Sequence, residues 1–214
     1  MTLFLIRHGE TDLNVSRVLQ PPDTPLSARG RAQAAALAAR LANMAEPLRP
    51  AGVLSSDQPR ALQTAQVLSD ACGLTVTPSV LLRERHFGDW RGRPYDELPA
   101  DALRSEAAPP GGESGPAFRA RVDAALAQVL RGHAALAGAG PLLVVSHGLL
   151  IWDLLARHLD LGAAAMPAHL GNTSLTVFDA AAPHPVRLLA CTRHLDGGAS
   201  GGRWADDPRA LCGG

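Results

Sequence analysis

Short apolar runs in this chain alternate with longer Ala- and Leu-rich stretches of helical period, and that alternation limits the fold more than any other feature. Residues 2–6, Val53-Leu54-Ser55, Thr75-Val76-Thr77 and Leu142-Leu143-Val144-Val145 read as short strands. Between them, Leu26 to Met44, residues 58–71, and Ser114 to Ala137 read as helices; another follows from Leu149 to about His158. Leu175-Thr176-Val177-Phe178 and Val186-Arg187-Leu188-Leu189 read as closing strands. Strand-helix-strand order implies crossover connections, hence a mostly parallel sheet covered on both faces. The expected architecture is therefore α/β, a three-layer α/β/α sandwich.

Local signals place the element ends. Ser27 suits the N-cap of the first long helix, Ser56 or Asp57 that of the second, and Gly73 closes the second. Phe118, Val122, Leu126, Val129 and Leu130 give the long helix after Ser114 its buried stripe. Residues 7–25 read as a polar loop, and 78–113 as an irregular, charged segment holding Phe87 and Trp90. A length of 214 residues makes one domain the default, expected over 1–195, with a loose Gly- and Asp-rich tail over 196–214.

Composition narrows the function classes. The chain has 20 basic and 20 acidic residues, which gives no reason to expect nucleic acid or an anionic membrane as a partner. Every basic residue is Arg, so a lysine Schiff base or P-loop lysine is excluded. Cys72, Cys191 and Cys212 lie far apart and read as reduced thiols. No secretory leader pattern opens the chain and no apolar run reaches membrane-spanning length, so a cytoplasmic protein is expected. No Asp/His cluster has metal-ligand spacing, and neither a metal nor another cofactor is called for. An edge strand leaves a homodimer open.

Two of the apolar strands end in a His-Gly pair, Ile6-Arg7-His8-Gly9 and Val145-Ser146-His147-Gly148. In a parallel sheet both carboxyl ends share one edge, the edge where α/β folds bind ligands. A third strand ends at Ser55-Ser56, with Arg60 just inside the next helix, where the helix dipole also favours an anion. Histidines and arginines gathered at such an edge suit phosphoryl chemistry. Each residue also has a plainer role open to it. Arg60 could pair with Asp57, Glu84 could sit in a solvated ion pair with Arg83 or Arg85, and Asn14 could only form a turn. His86, His133, His158, His169, His184 and His194 lack the strand-end context.

Arg7-His8-Gly9-Glu10-Thr11 resembles the signature of the histidine phosphatase superfamily, the phosphoglycerate-mutase-like proteins. The likeness extends through Asn14, Asp23 to Gly30, Ser55-Ser56-Asp57 with Arg60, and Leu82-Arg83-Glu84 with Phe87 to Trp90. It continues through Pro110 to Ser114 and Val145 to Gly148. The resemblance implies a phosphoglycerate-mutase-like fold and gives each residue a role. His8 would accept the phosphoryl group, Arg7 and Arg60 would clamp it, and Asn14, His147 (protonated) and Gly148 would complete the phosphate site. Glu84 would protonate the leaving alkoxide and then deprotonate water. Thr24, His86 and Trp90 would border the mouth.

Cofactor-dependent mutases of this family carry a longer insertion after the glutamate. Here residues 85–113 are short, with Arg85, Arg91, Arg93 and Arg104 available. The chain therefore looks like the broad-specificity and α-ribazole phosphatases, and hydrolysis of a small phosphorylated metabolite is expected. A cofactor-dependent phosphoglycerate mutase is the alternative, and a non-catalytic phospho-ligand-binding module the second.

Overall fold

A computed structural model describes residues 2–196. The elements run β1 (Thr2–Arg7), α1 (Asp12–Val15), α2 (Ala28–Ala42), β2 (Gly52–Ser56), α3 (Pro59–Cys72) and β3 (Val76–Ser79). Then come α4 (Gly115–Ala135), β4 (Leu142–Ser146), α5 (Gly148–Arg157), β5 (Leu175–Asp179) and β6 (Val186–Cys191). The six strands form one sheet in the order β3-β2-β4-β1-β5-β6. The first four are mutually parallel; β5 runs antiparallel to β1, and β6 antiparallel to β5.

The pleat explains why β1 and β4 are apolar throughout. Leu3, Leu5, Leu142 and Val144 pack on one face with Phe118, Val122 and Leu126 of α4 and Leu150 and Leu154 of α5. Phe4, Ile6, Leu143 and Val145 pack on the other with Leu37 and Leu41 of α2 and Leu68 of α3. Two strands covered on both sides have no water-facing position, so alternation disappears. Each buried Leu or Phe contributes about 1.5–3 kcal/mol relative to exposure. This is the expected three-layer arrangement.

Several local expectations change. The segment 7–25 contains α1, a single turn made by a reciprocal cap: Thr11 Oγ1 accepts from Asn14 N, and Thr11 N donates to Asn14 Oδ1. A capped turn without an apolar face leaves no periodic signal. Neither Ser56 nor Asp57 is the N-cap of α3. Gln58 occupies that position without a side-chain cap, and Pro59 begins the helix. Ser56 bonds His147 instead, and Asp57 binds Arg83. Ser27 caps α2 as expected, Ser114 is the N-cap of α4, and Gly73 ends α3 with φ +69°. Cys72 is a free thiol, but Cys191 is disulfide-bonded, which corrects the reading of all cysteines as reduced. The expected tail, beyond Asp196, lies outside the described residues. Among those residues no helix is long and apolar enough to cross a membrane.

Candidate active site

Register brings the two histidines together. Arg7 of β1 pairs with Ser146 of β4, so the next residue on each strand, His8 and His147, leaves the sheet at the same point. His8 N donates to Ser146 O at 2.9 Å, extending the ladder by one bond. Both side chains are buried, and the ring centroids lie 5.1 Å apart. The turn after β1 is held against the start of α2, where a Cβ on Gly30 would lie 2.0 Å from Glu10 O. Only glycine allows that approach.

The nitrogens of His8 are distinguished by their surroundings. Nδ1 lies 2.7 Å from Gly9 O, so Nδ1 carries the proton and donates, leaving the Nε2 lone pair free. Burial, then Arg60 and Arg7, pushes the His8 pKa well below the ordinary 6.5; the Gly9 bond opposes this without reversing it. His8 is therefore a neutral imidazole beside two cations.

His147 lies against Ser56, with Nε2 2.8 Å from Ser56 Oγ. Its Nδ1 is buried without a partner among the described residues. If the Ser56 hydroxyl donates to Nε2, Nδ1–H is left as an unused donor. Burial first, then Arg60, His8 and Arg7, lowers the His147 pKa well below 6.5. The protonated His147 expected during phosphoryl transfer therefore calls for an anion close to the ring. A phosphate dianion at Nδ1 would favour its protonation.

At the same sheet edge two more buried donors, Arg7 Nε and Arg60 Nε, have no partner among the described residues. Other atoms of the same guanidiniums fix their planes. Arg7 Nη1 donates to Leu170 O, and Arg60 donates to Gln58 Oε1 at 2.8 Å and Pro21 O at 3.2 Å. Arg60 does not pair with Asp57, which Arg83 occupies through both carboxylate oxygens. Burial lowers the Arg60 pKa to about 10 and lowers that of Arg7, yet both stay charged at neutral pH. Three unpartnered buried donors from β1, α3 and the end of β4 are uncommon in a folded protein and call for an acceptor.

Glu84 accepts from the N–H groups of Leu149 (3.0 Å), Leu150 (3.3 Å) and Arg85 (3.0 Å). It therefore sits at the N-terminus of α5 rather than in a solvated ion pair with Arg83 or Arg85. Asn14 forms the turn that its plainer reading allowed. Its Oδ1 completes the α1 cap and accepts from Asn172 Nδ2 at 3.2 Å, while the residue itself lines the cavity.

Arg7, His8, Asn14, Arg60, Glu84 and Gly148 all line one cavity of about 250 Å³. Thr24, His86 and Trp90 are not among its lining residues. The Thr24 hydroxyl donates to Pro21 O, Trp90 packs with Leu19 and Phe87, and His86 lines a neighbouring groove. Around the outer cavity stand Leu19, Tyr95, Leu103, Leu149, Trp152 and Leu170 instead. These come from four separate segments, and no local sequence signal joins them.

Sequence reasoning also missed the supports. Asn172 Nδ2 donates to both His8 O (3.1 Å) and Asn14 Oδ1, tying the turn before β5 to the backbone of His8. Arg121 holds the segment carrying Glu84, donating to Leu81 O and Arg83 O while pairing with Glu113. Thr64 accepts from Gly9 N and donates to Arg60 O, linking β1 to α3. A lone Asn or Thr in sequence gives no hint of such a bridge.

The model of the histidine phosphatase superfamily, branch 1, matches residues 3–190. This chain belongs to that superfamily. It is 40% identical over 189 residues to the glucosyl-3-phosphoglycerate phosphatase of Mycobacterium tuberculosis, covering 81% of this chain and 83% of that protein. It is 36% identical to a probable phosphoglycerate mutase of Yersinia pestis, covering 84% and 85%. The structure of an α-ribazole phosphatase from Shigella flexneri superposes with a TM-score of 0.71 at 29% identity, covering 90% of this chain and 97% of that one. A histidine phosphatase fold thus agrees with the strand order and with the site at the sheet edge.

Proposed function

We propose that this protein hydrolyses small phosphomonoesters through a phosphohistidine on His8. The observation that carries the proposal is the set of buried, unpartnered donors, Arg7 Nε, Arg60 Nε and His147 Nδ1, around a neutral His8 whose Nδ1 is tied to Gly9 O. Nε2 attacks phosphorus, and the P–O bond to the alcohol breaks. The Glu84 proton goes to the leaving alkoxide. Glu84, now a carboxylate, takes a proton from water, whose oxygen attacks the phosphohistidine and releases inorganic phosphate and neutral His8. The guanidiniums and His147 oppose the charge that builds on the equatorial oxygens.

Those donors can balance the phosphate without a metal, so activity in EDTA is expected. Names of similar proteins support the substrate class: a glucosyl-3-phosphoglycerate phosphatase and an α-ribazole phosphatase both act on small phosphorylated metabolites. A cavity of about 250 Å³ suits a molecule of that size. The test is p-nitrophenyl phosphate hydrolysis in EDTA by wild type and His8→Ala, with labelled substrate trapped by rapid mixing. Acid-labile, base-stable label on His8 is expected; label on Ser55 or Ser56 would refute the mechanism. Given 3-phosphoglycerate and 2,3-bisphosphoglycerate, phosphate release should outrun isomerisation. The opposite result identifies a mutase.

A further inference from the structure

The chemistry above leaves some of the cavity's positive charge unused. Five arginines, Arg7, Arg60, Arg85, Arg91 and Arg104, line it against one carboxylate, Glu84. Arg7 and Arg60 hold the phosphate end. Arg85 is occupied by backbone, donating to Leu103 O, Ser105 O and Glu113 O. Arg104 is exposed at the rim, its guanidinium 4.7 Å over the Trp152 ring.

Arg91 is different. It is half-buried, and its guanidinium makes no hydrogen bond or ion pair with any described residue. Its neighbours are neutralised: Arg83 by Asp57, and Arg121 by Glu113. Arg91 stands where the cavity meets a second, more open groove of about 700 Å³, and Gln58, Glu84 and Arg91 border both. It is close enough to Arg60 and His86 to make both harder to protonate. An unpaired, partly desolvated cation beside other cations is costly unless an anion joins it. The phosphoryl group already has Arg7, Arg60 and His147. The other candidate anion is on the remainder of the substrate.

We propose that Arg91 binds a second anionic group, a carboxylate or a phosphate, carried by the alcohol portion of the substrate, and so selects phosphorylated acids or bisphosphates over neutral phosphomonoesters. This rests on the phosphatase reading above. Arg91 adds selectivity at the junction of the two cavities and takes no part in bond breaking.

The experiment compares kcat/KM for 3-phosphoglycerate, propane-1,3-diol bisphosphate and glycerol 3-phosphate in wild type, Arg91→Gln and Arg91→Lys. The first two probes separate a carboxylate from a phosphate as the second anion. Wild type should favour at least one of the doubly anionic esters over glycerol 3-phosphate. Arg91→Gln should lose roughly 10- to 100-fold on that ester, the worth of a charge-assisted hydrogen bond, with at least tenfold less loss on glycerol 3-phosphate. Arg91→Lys should retain part of the preference. Equal losses on all three would place Arg91 on the transferred phosphate or in the fold and overturn the proposal, as would a wild type without preference. Turnover of none of them defeats the phosphatase reading instead. Calorimetric binding of the same esters to His8→Ala, with and without Arg91→Gln, then decides the Arg91 proposal: loss of the doubly anionic preference upholds it, and an unchanged ranking overturns it.

Discussion

The inner and outer ends of the cavity are built in opposite ways. At the inner end, Arg7, His8 and His147 follow directly from two paired strands, and Arg60 lies in the first turn of α3. The sheet fixes the backbones of Arg7, His8 and His147, α3 fixes that of Arg60, and Arg7 Nε, Arg60 Nε and His147 Nδ1 are buried without partners among the described residues. The outer end comes from the stretch between Glu84 and Glu113, where two short 3₁₀ turns, Gly88–Trp90 and Tyr95–Glu97, pack on a small cluster of Leu19, Phe87, Leu98 and Ala102. It is joined by Leu149 and Trp152 of α5 and by Leu170. The contrast sets a phosphate end built on paired strands and a helix start against an outer wall built from loops, which under the proposed function divides reaction type from substrate choice. A sheet edge holds atoms to the tolerance that in-line transfer requires. Loops can change the outer wall without disturbing it.

Substitutions should keep these two ends distinct. The largest effect belongs to His8→Ala, which should lower kcat roughly 10⁴-fold or more on every phosphomonoester, because the proposed reaction loses its phosphoryl acceptor. Comparable residual turnover on aryl and alkyl esters is the signature to measure; a substrate-dependent loss would break the separation. Glu84→Gln comes next, with a loss of roughly 10²- to 10⁴-fold on alkyl phosphates and clearly less on p-nitrophenyl phosphate, whose leaving group needs little protonation. Equal losses on both would remove Glu84 from the acid role.

Asn172→Ala tests the support of the inner end. It removes donors to His8 O and Asn14 Oδ1, so kcat should fall about tenfold while KM for p-nitrophenyl phosphate changes less. A KM effect alone would place Asn172 with the outer wall. At the outer end, Trp152→Ala should alter KM only a few-fold, by an amount that varies with the alcohol.

The smallest effect is one of pH on stability. The folded His8 pKa is depressed, so below about 6.5 the unfolded chain takes up a proton that the folded chain refuses. The contribution is complete above pH 6.5 and is lost as pH falls toward the folded value. The fall in melting temperature on acidification from pH 7 to 5 should therefore be steeper for wild type than for His8→Gln. Parallel slopes would show that His8 is not held neutral.

Much of the fold was legible because strands buried on both faces are apolar throughout, and because Ser27, Gly73 and Ser114 mark helix ends chemically. The cap of α3 was misread because Ser56 and Asp57 fit a cap locally but are drawn to His147 and Arg83 across the chain. Of the site, Arg7, His8, Asn14, Arg60, Glu84, His147 and Gly148 come together; Thr24, His86 and Trp90 do not line the cavity. The difference is that a strand end has a defined direction, while a loop side chain is aimed by whatever packs around it.

By itself, the sequence determined the alternation of strands and helices, the two His-Gly strand ends and the family to which they belong. These are local patterns, set by side-chain period and backbone permissiveness. Only the tertiary structure decided which buried donors have no partner among the described residues, that burial and nearby cations lower the His147 pKa, and that Arg91, unlike Arg83 and Arg121, makes no ion pair with a described residue. Burial and pairing depend on distances between segments far apart in the chain, and no local pattern encodes them.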